Sequence, residues 1–141
     1  MVKTLNQILP KLPVPPHKKY GAPVSLRTVK DELQYAKTKK GRKSRSLLEE
    51  PTLKEWGHWI LIDNDFPYSA AFKVHHMLIP KREVSKSELN LKEIKELDKI
   101  IDELSQEYDC QLVNFKKKQS IKHHYHIHLL IYKDKRRQMK L

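Results

Sequence analysis

The chain has 141 residues, one cysteine and a formal net charge of +12. That length suits one domain, the lone Cys110 rules out an internal disulfide framework and a Cys-type zinc site, and no apolar run approaches the roughly 18 residues of a membrane span. The N-terminus has no apolar core of the signal-peptide kind, so a cytoplasmic protein without membrane contact is expected.

The charge is uneven. Residues 1–45 carry 12 Lys or Arg against 2 acids, whereas residues 46–141 carry 17 against 15. A stretch so basic attracts phosphates and polyanions, which makes nucleic acid a candidate partner. A solvated basic tail is the plainer alternative. Residues 1–50 are read as a basic, Pro-rich extension, 51–135 as the folded domain and 136–141 as a basic C-terminal tail.

Pro10, Pro13, Pro15, Pro16 and Pro23 keep the start of the chain extended or looped, since each removes a backbone donor and fixes φ. Thr28-Val29-Lys30-Asp31 resembles a capping box with aspartate in place of glutamate, and Val29, Leu33 and Ala36 share one helical face, which predicts a helix over 29–39. Residues 47–55 suggest a helical turn. Trp56 to Asp63 alternates as a strand, with Trp56, His58, Ile60 and Ile62 on one side and Trp59 and Leu61 on the other. Asn64-Asp65-Phe66-Pro67-Tyr68 marks a turn, and Phe72 to Ile79 a second strand stopped by Pro80. The strongest helix is 91–108. Asn90-Leu91-Lys92-Glu93 caps it, and Leu91, Ile94, Leu97, Ile101 and Leu104 make one apolar stripe. Its Lys and Glu face, Glu96 included, is read as solvated. Leu112 to Phe115 forms a further strand, and Lys116 to Ser120 a loop.

The last strand, 124–132, carries the most distinctive pattern. Side chains two apart on a strand share a face, so His124, His126 and His128 line up at steps of roughly 7 Å, while Tyr125, Ile127 and Leu129 face the other way. Three imidazoles in line can hold a divalent metal. Alternatively, one attacks as a nucleophile while its neighbours orient the group under attack. An unperturbed imidazole titrates near 6.5 and is mostly neutral at pH 7. The residues alone leave both chemistries open, beside a merely histidine-rich surface strand. The order strand, strand, helix, strand, strand predicts an α+β fold, and the two-residue alternation an antiparallel sheet.

His124-Tyr125-His126-Ile127-His128-Leu129-Leu130 resembles the motif of the histidine triad (HIT) superfamily, His-φ-His-φ-His-φ-φ with φ apolar, if Tyr125 counts as φ. Val74-His75-His76-Met77-Leu78-Ile79-Pro80-Lys81 resembles the family's earlier strand, which carries an active-site histidine. The resemblance covers about residues 56–132. It implies an antiparallel sheet of about five strands with a long helix packed on it, a homodimer formed through that helix and an edge strand, and no cofactor or metal. The activity it implies is nucleotide hydrolysis or nucleotidyl transfer at an α-phosphate.

By that resemblance His126 is the nucleophile, forming a nucleotidyl-histidine intermediate, and His124 and His128 donate to the non-bridging oxygens. His128 is also a candidate to protonate the leaving group. A backbone carbonyl bonded to the other nitrogen of His126 is expected to fix its tautomer. His75 matches the extra histidine, with His76 one register step away. Asn64, with Asp65 competing, matches a ribose contact, and Asn114 matches the asparagine that precedes the family's active-site loop. Each of these could equally be an ordinary turn-forming residue. Two departures stand out. The loop Lys116-Lys117-Lys118-Gln119-Ser120 has no glycine, and Ser120 lies four residues before His124 rather than the usual three, which leaves its phosphate contact open. Two alternatives are kept. One is nucleic-acid-end processing, of deadenylation or decapping type, that uses the basic N-terminal region. The other is a non-catalytic metal- or nucleic-acid-binding module.

Overall fold

The computed structural model describes residues 26–39, 46–116, 121 and 123–134. Among these, five strands form one antiparallel sheet: β1 (Thr52–Glu55), β2 (Trp59–Asp63), β3 (Phe72–Pro80), β4 (Cys110–Leu112) and β5 (Ile127–Tyr132), in the spatial order β1-β2-β3-β5-β4. Helix α1 (Val29–Lys39) precedes the sheet, and α2 (Leu91–Leu104) joins β3 to β4. The class is α+β, as the sequence predicts. No described helix is long and apolar enough to cross a membrane.

The period-2 alternation sorts the side chains onto two faces. Leu61, Leu78 and Ile127 are register neighbours, and with Trp59, Tyr125 and Leu129 they form a core closed by Ile100 and Leu104 of α2. The Trp59 indole N–H donates to the Glu93 carbonyl at 2.9 Å, which ties the sheet to the first turn of the helix. The opposite face carries Ile60, Ile62, Met77 and Ile79, with Leu47 packed on them. Met77 pairs with His128, and His75 with Leu130, so His75 and His128 are diagonal neighbours on this second face.

Helix α2 starts as predicted. The Asn90 side chain accepts from the Glu93 N–H at 2.9 Å and the Glu93 carboxylate from the Asn90 N–H at 2.8 Å. It ends at Leu104, not 108, because the chain turns to pair again: the Asp109 N–H donates to the Leu130 carbonyl. The face read as solvated is partly engaged. Glu96 accepts from the His58 N–H at 2.6 Å, and its Oε2 lies 2.8 Å from where a Cβ on Gly57 would sit. Glycine leaves room for that carboxylate at the β1–β2 turn, and a larger residue would displace the end of the flexible Glu96 side chain.

That turn corrects the reading of 47–63. Only Leu47–Glu49 is helical, a single 3-10 turn, and Thr52–Glu55 is an edge strand that the pattern missed because all four residues are exposed. The Trp56 N–H donates to the Trp59 carbonyl at 2.8 Å, so the chain reverses there and Trp56 packs on the Trp59 side rather than with Ile60.

The other strand limits also shift. The β3–β5 ladder ends at Leu78↔Ile127. Beyond it stands Pro80, which has no N–H to offer, so β5 begins at Ile127 rather than His124, and Tyr125 bonds instead to the Val84 carbonyl. On the other side of β5, the β4 ladder ends at Leu112↔His128, one residue short of the start of β5. Val113 to Phe115 leave the sheet, and Phe115 is 87% exposed. Helix α1 spans the predicted residues, but its apolar stripe faces out, with Val29 58% and Leu33 45% exposed. Its polar and aromatic side docks instead. Asp31 accepts from the Ser69 hydroxyl, and Tyr35 meets Phe66 edge-on at 5.1 Å.

Candidate active site

The three histidines keep their alternation although only His128 lies within a strand. Tyr125, Ile127 and Leu129 enter the helix-side core, which leaves His124, His126 and His128 to the other side, all buried. The His124 Nε2–H donates to the Pro80 carbonyl at 2.9 Å, which anchors the start of the row to the end of β3. The Nδ1–H of His126 donates to the carbonyl of His124 at 2.9 Å. A neutral imidazole has one N–H, so this bond leaves the lone pair on Nε2, and no described group bonds that atom. Burial pushes the His126 pKa below the ordinary imidazole value, against the opposing effect of the His124 carbonyl. The ring is therefore neutral at pH 7, with a fixed tautomer and one nitrogen available.

His75 and His128 form a second, tighter unit. The Tyr68 backbone N–H donates to His75 Nδ1 at 3.0 Å, so Nε2 must carry the His75 proton. That Nε2 lies 2.6 Å from His128 Nδ1, which must therefore accept. His128 is left with its proton on Nε2, 3.5 Å from the Tyr68 hydroxyl. One backbone N–H thus sets both tautomers in turn. Burial is the chief cause holding both pKa values well down, reinforced at His75 by Arg27 and at His128 by His75. The His126 ring stands edge-on to His128, with centroids 5.2 Å apart.

His76, the register alternative to His75, is on the helix-side face, where it bonds the Tyr108 hydroxyl. Asn64 sits at the rim. Its Oδ1 accepts from the Phe66 N–H at 2.7 Å, a turn-forming bond, while its Nδ2 approaches His75 Nε2 at 3.3 Å. Both of those nitrogens are donors in the tautomer above, so that approach is a contact and not a hydrogen bond. Asp65 is exposed beside it. Asn114 reaches the same place from the end of β4, where its Nδ2 donates to the Tyr68 hydroxyl at 3.4 Å. Ser120 lies outside the described residues.

Two participants escaped the sequence reading. Tyr68 was seen only as part of a turn, yet its ring lies over both His75 and His128, with centroids 4.3 and 5.1 Å away. Arg27 stands in turn over the rings of Tyr35, at 4.2 Å, and Tyr68, at 5.1 Å, and its Nε–H donates to the Phe66 carbonyl at 2.8 Å. A Pro-Tyr pair in a turn gives no sign of stacking on residues that lie elsewhere in the sequence, and Arg27 is one basic residue among many.

Chemically, the site offers an unbonded imidazole nitrogen beside a neutral imidazole pair. Among the described residues, no group of three or more His, Cys, Asp or Glu is placed to hold a metal ion. Nε2 of His124 and Nδ1 of His126 are turned to backbone carbonyls, and Nε2 of His75 to Nδ1 of His128.

No family model matches the chain, and no curated protein matches it. Among solved structures, the crystal structure of HTC1 is similar at 18% identity over 86% of this chain and 82% of that chain, with a TM-score of 0.47.

Proposed function

We propose that the protein is a HIT-like nucleotide hydrolase or nucleotidyl transferase in which His126 Nε2 attacks an α-phosphate and forms a nucleotidyl-histidine intermediate. The observation that carries this reading is the bond from His126 Nδ1 to the His124 carbonyl, which leaves the other nitrogen neutral and unbonded. An attacking nitrogen needs that state, and tautomer control by a neighbouring group is how imidazoles are held in it. His128 and Asn114 turn N–H donors to the Tyr68 oxygen beside the nucleophile, where they can hold charge that develops on it, and Asn64 and Asp65 sit where a ribose would lie. The proposed protein works as a homodimer and needs no cofactor.

A second reading keeps this chemistry and changes the substrate to an adenylylated or capped nucleic-acid end. It is favoured by the docking of α1, the one described helix of the basic N-terminal region, on the loop beside the histidines. One experiment serves both readings. The protein is incubated with a nucleoside 5′-phosphoramidate, and separately with a 5′-adenylylated DNA strand, then quenched and weighed by intact-protein mass spectrometry. A mass gain of one nucleotidyl group, mapped to His126, is expected with at least one of the two. No adduct with either, despite turnover, would rule out the covalent route.

A further inference from the structure

We infer that the Tyr68 hydroxyl is the proton donor to the leaving group, and that Arg27 positions it; this rests on the nucleophile assigned to His126. The argument starts from hydrogen bookkeeping. The Tyr68 oxygen receives the Asn114 amide at 3.4 Å and, by the tautomer chain, the Nε2–H of His128 at 3.5 Å. Both of these long contacts use the oxygen as acceptor. The hydroxyl hydrogen must then be donated elsewhere, and no described residue accepts it. A half-buried hydroxyl with a hydrogen to give, above the histidine that neighbours the nucleophile, is placed to donate to a substrate.

His128 is poorly suited to that task by itself, because its own N–H already points at Tyr68. In the first half-reaction the bond from His126 Nε2 to phosphorus forms while the bond from phosphorus to the leaving atom breaks. The leaving atom keeps the electron pair and takes the Tyr68 proton. The phenolate left behind is held by the two N–H groups that already face it, from His128 and Asn114. In the second half-reaction water attacks phosphorus, the P–N bond breaks with its electrons returning to His126, and the water proton goes to the phenolate. Atoms and charge balance over the cycle with no further reactant.

Arg27 touches none of the reacting atoms. Its guanidinium lies between the Tyr35 and Tyr68 rings, and its bond to the Phe66 carbonyl ties it to the turn that carries Tyr68. It is a positioning residue, and it brings the chain just before α1 into the site.

The test compares Tyr68→Phe with the parent full-length protein on two nucleoside 5′-phosphate derivatives, one with an alkylamine leaving group and one with p-nitrophenolate. The kcat/KM value reads every step up to departure of the leaving group. Loss of a general acid should lower kcat/KM about 100-fold for the amine and leave it within about threefold for p-nitrophenolate, which departs without a proton. Arg27→Met should show the same leaving-group dependence with a smaller loss, and it carries the test if the phenylalanine variant does not fold. An equal loss on both substrates, or no loss on the amine, would overturn the inference. If His126→Ala were instead as active as the parent, the nucleophile assignment itself would have failed, which is a separate and distinguishable result.

Discussion

Replacing His126 by alanine is expected to lower kcat by about 10⁴-fold or more and to abolish the nucleotidyl adduct, because its Nε2, the nitrogen assigned to attack, is removed with the ring. His126→Asn is the sharper control. Its amide can still donate to the His124 carbonyl, so it preserves the local bond while removing the nucleophile. Equal losses in both variants, with unchanged melting temperatures, would separate chemistry from folding. Alanine at His124 or His128 should cost less, about 10²-fold: the single N–H of His124 is held by the Pro80 carbonyl rather than offered to a phosphoryl oxygen, so its loss misplaces the row, and that of His128 faces the Tyr68 oxygen. Steady-state kinetics with a nucleoside 5′-phosphoramidate measures all four. If the His126 variants lost no more than the His124 and His128 variants, the assignment of the central ring would be wrong.

The second large effect is on stability. Burial holds the pKa values of His75 and His128 well below the ordinary value near 6.5. The folded protein therefore keeps both rings neutral in mild acid, while the unfolded chain protonates them. Unfolding takes up protons, so the stability present above pH 6.5 falls as pH drops through that value. For the pair this amounts to about 3 kcal/mol between pH 6.5 and pH 5. His124 and His126 shift the same way and add to it. Glu93, whose carboxyl is held low chiefly by Arg82, contributes only at lower pH, as it begins to protonate. Urea unfolding at pH 7.5 and pH 5 is expected to show that loss, and replacing the pair by asparagine should flatten it. Activity should decline in acid only as the fold does. A rate that fell near pH 6.5 with the fold intact would mean that the nucleophile titrates as an exposed imidazole.

Much of the framework was legible because burial imposes period. The run Phe72–Pro80, the stripe of α2 and its Asn90 cap need no tertiary information, whereas the pairing of β3 with β5 is what places His75, not His76, on the face of His128. What the pattern hid follows from missing one-sided burial. β1 is exposed throughout, so it carries no alternation. Helix α1 has an apolar stripe that never reaches the core, because Asp31, Tyr35 and the preceding Arg27 bind the 64–69 loop instead. The strand limits near His124 depend on where the partner strand runs out of N–H groups at Pro80, a property of pairing rather than of the histidine run itself. Tyr68 was out of reach for a further reason: its role comes from stacking on two rings that are 7 and 60 residues away in sequence.

The most direct test of the central ring is a crystal structure of the protein soaked with adenosine or guanosine 5′-monophosphate. The α-phosphorus should settle about 3–3.5 Å from His126 Nε2, the range of a near-attack contact, with the Nδ1 bond to the His124 carbonyl intact. A phosphate seated elsewhere, or a His126 ring turned so that Nε2 binds protein, would contradict the account.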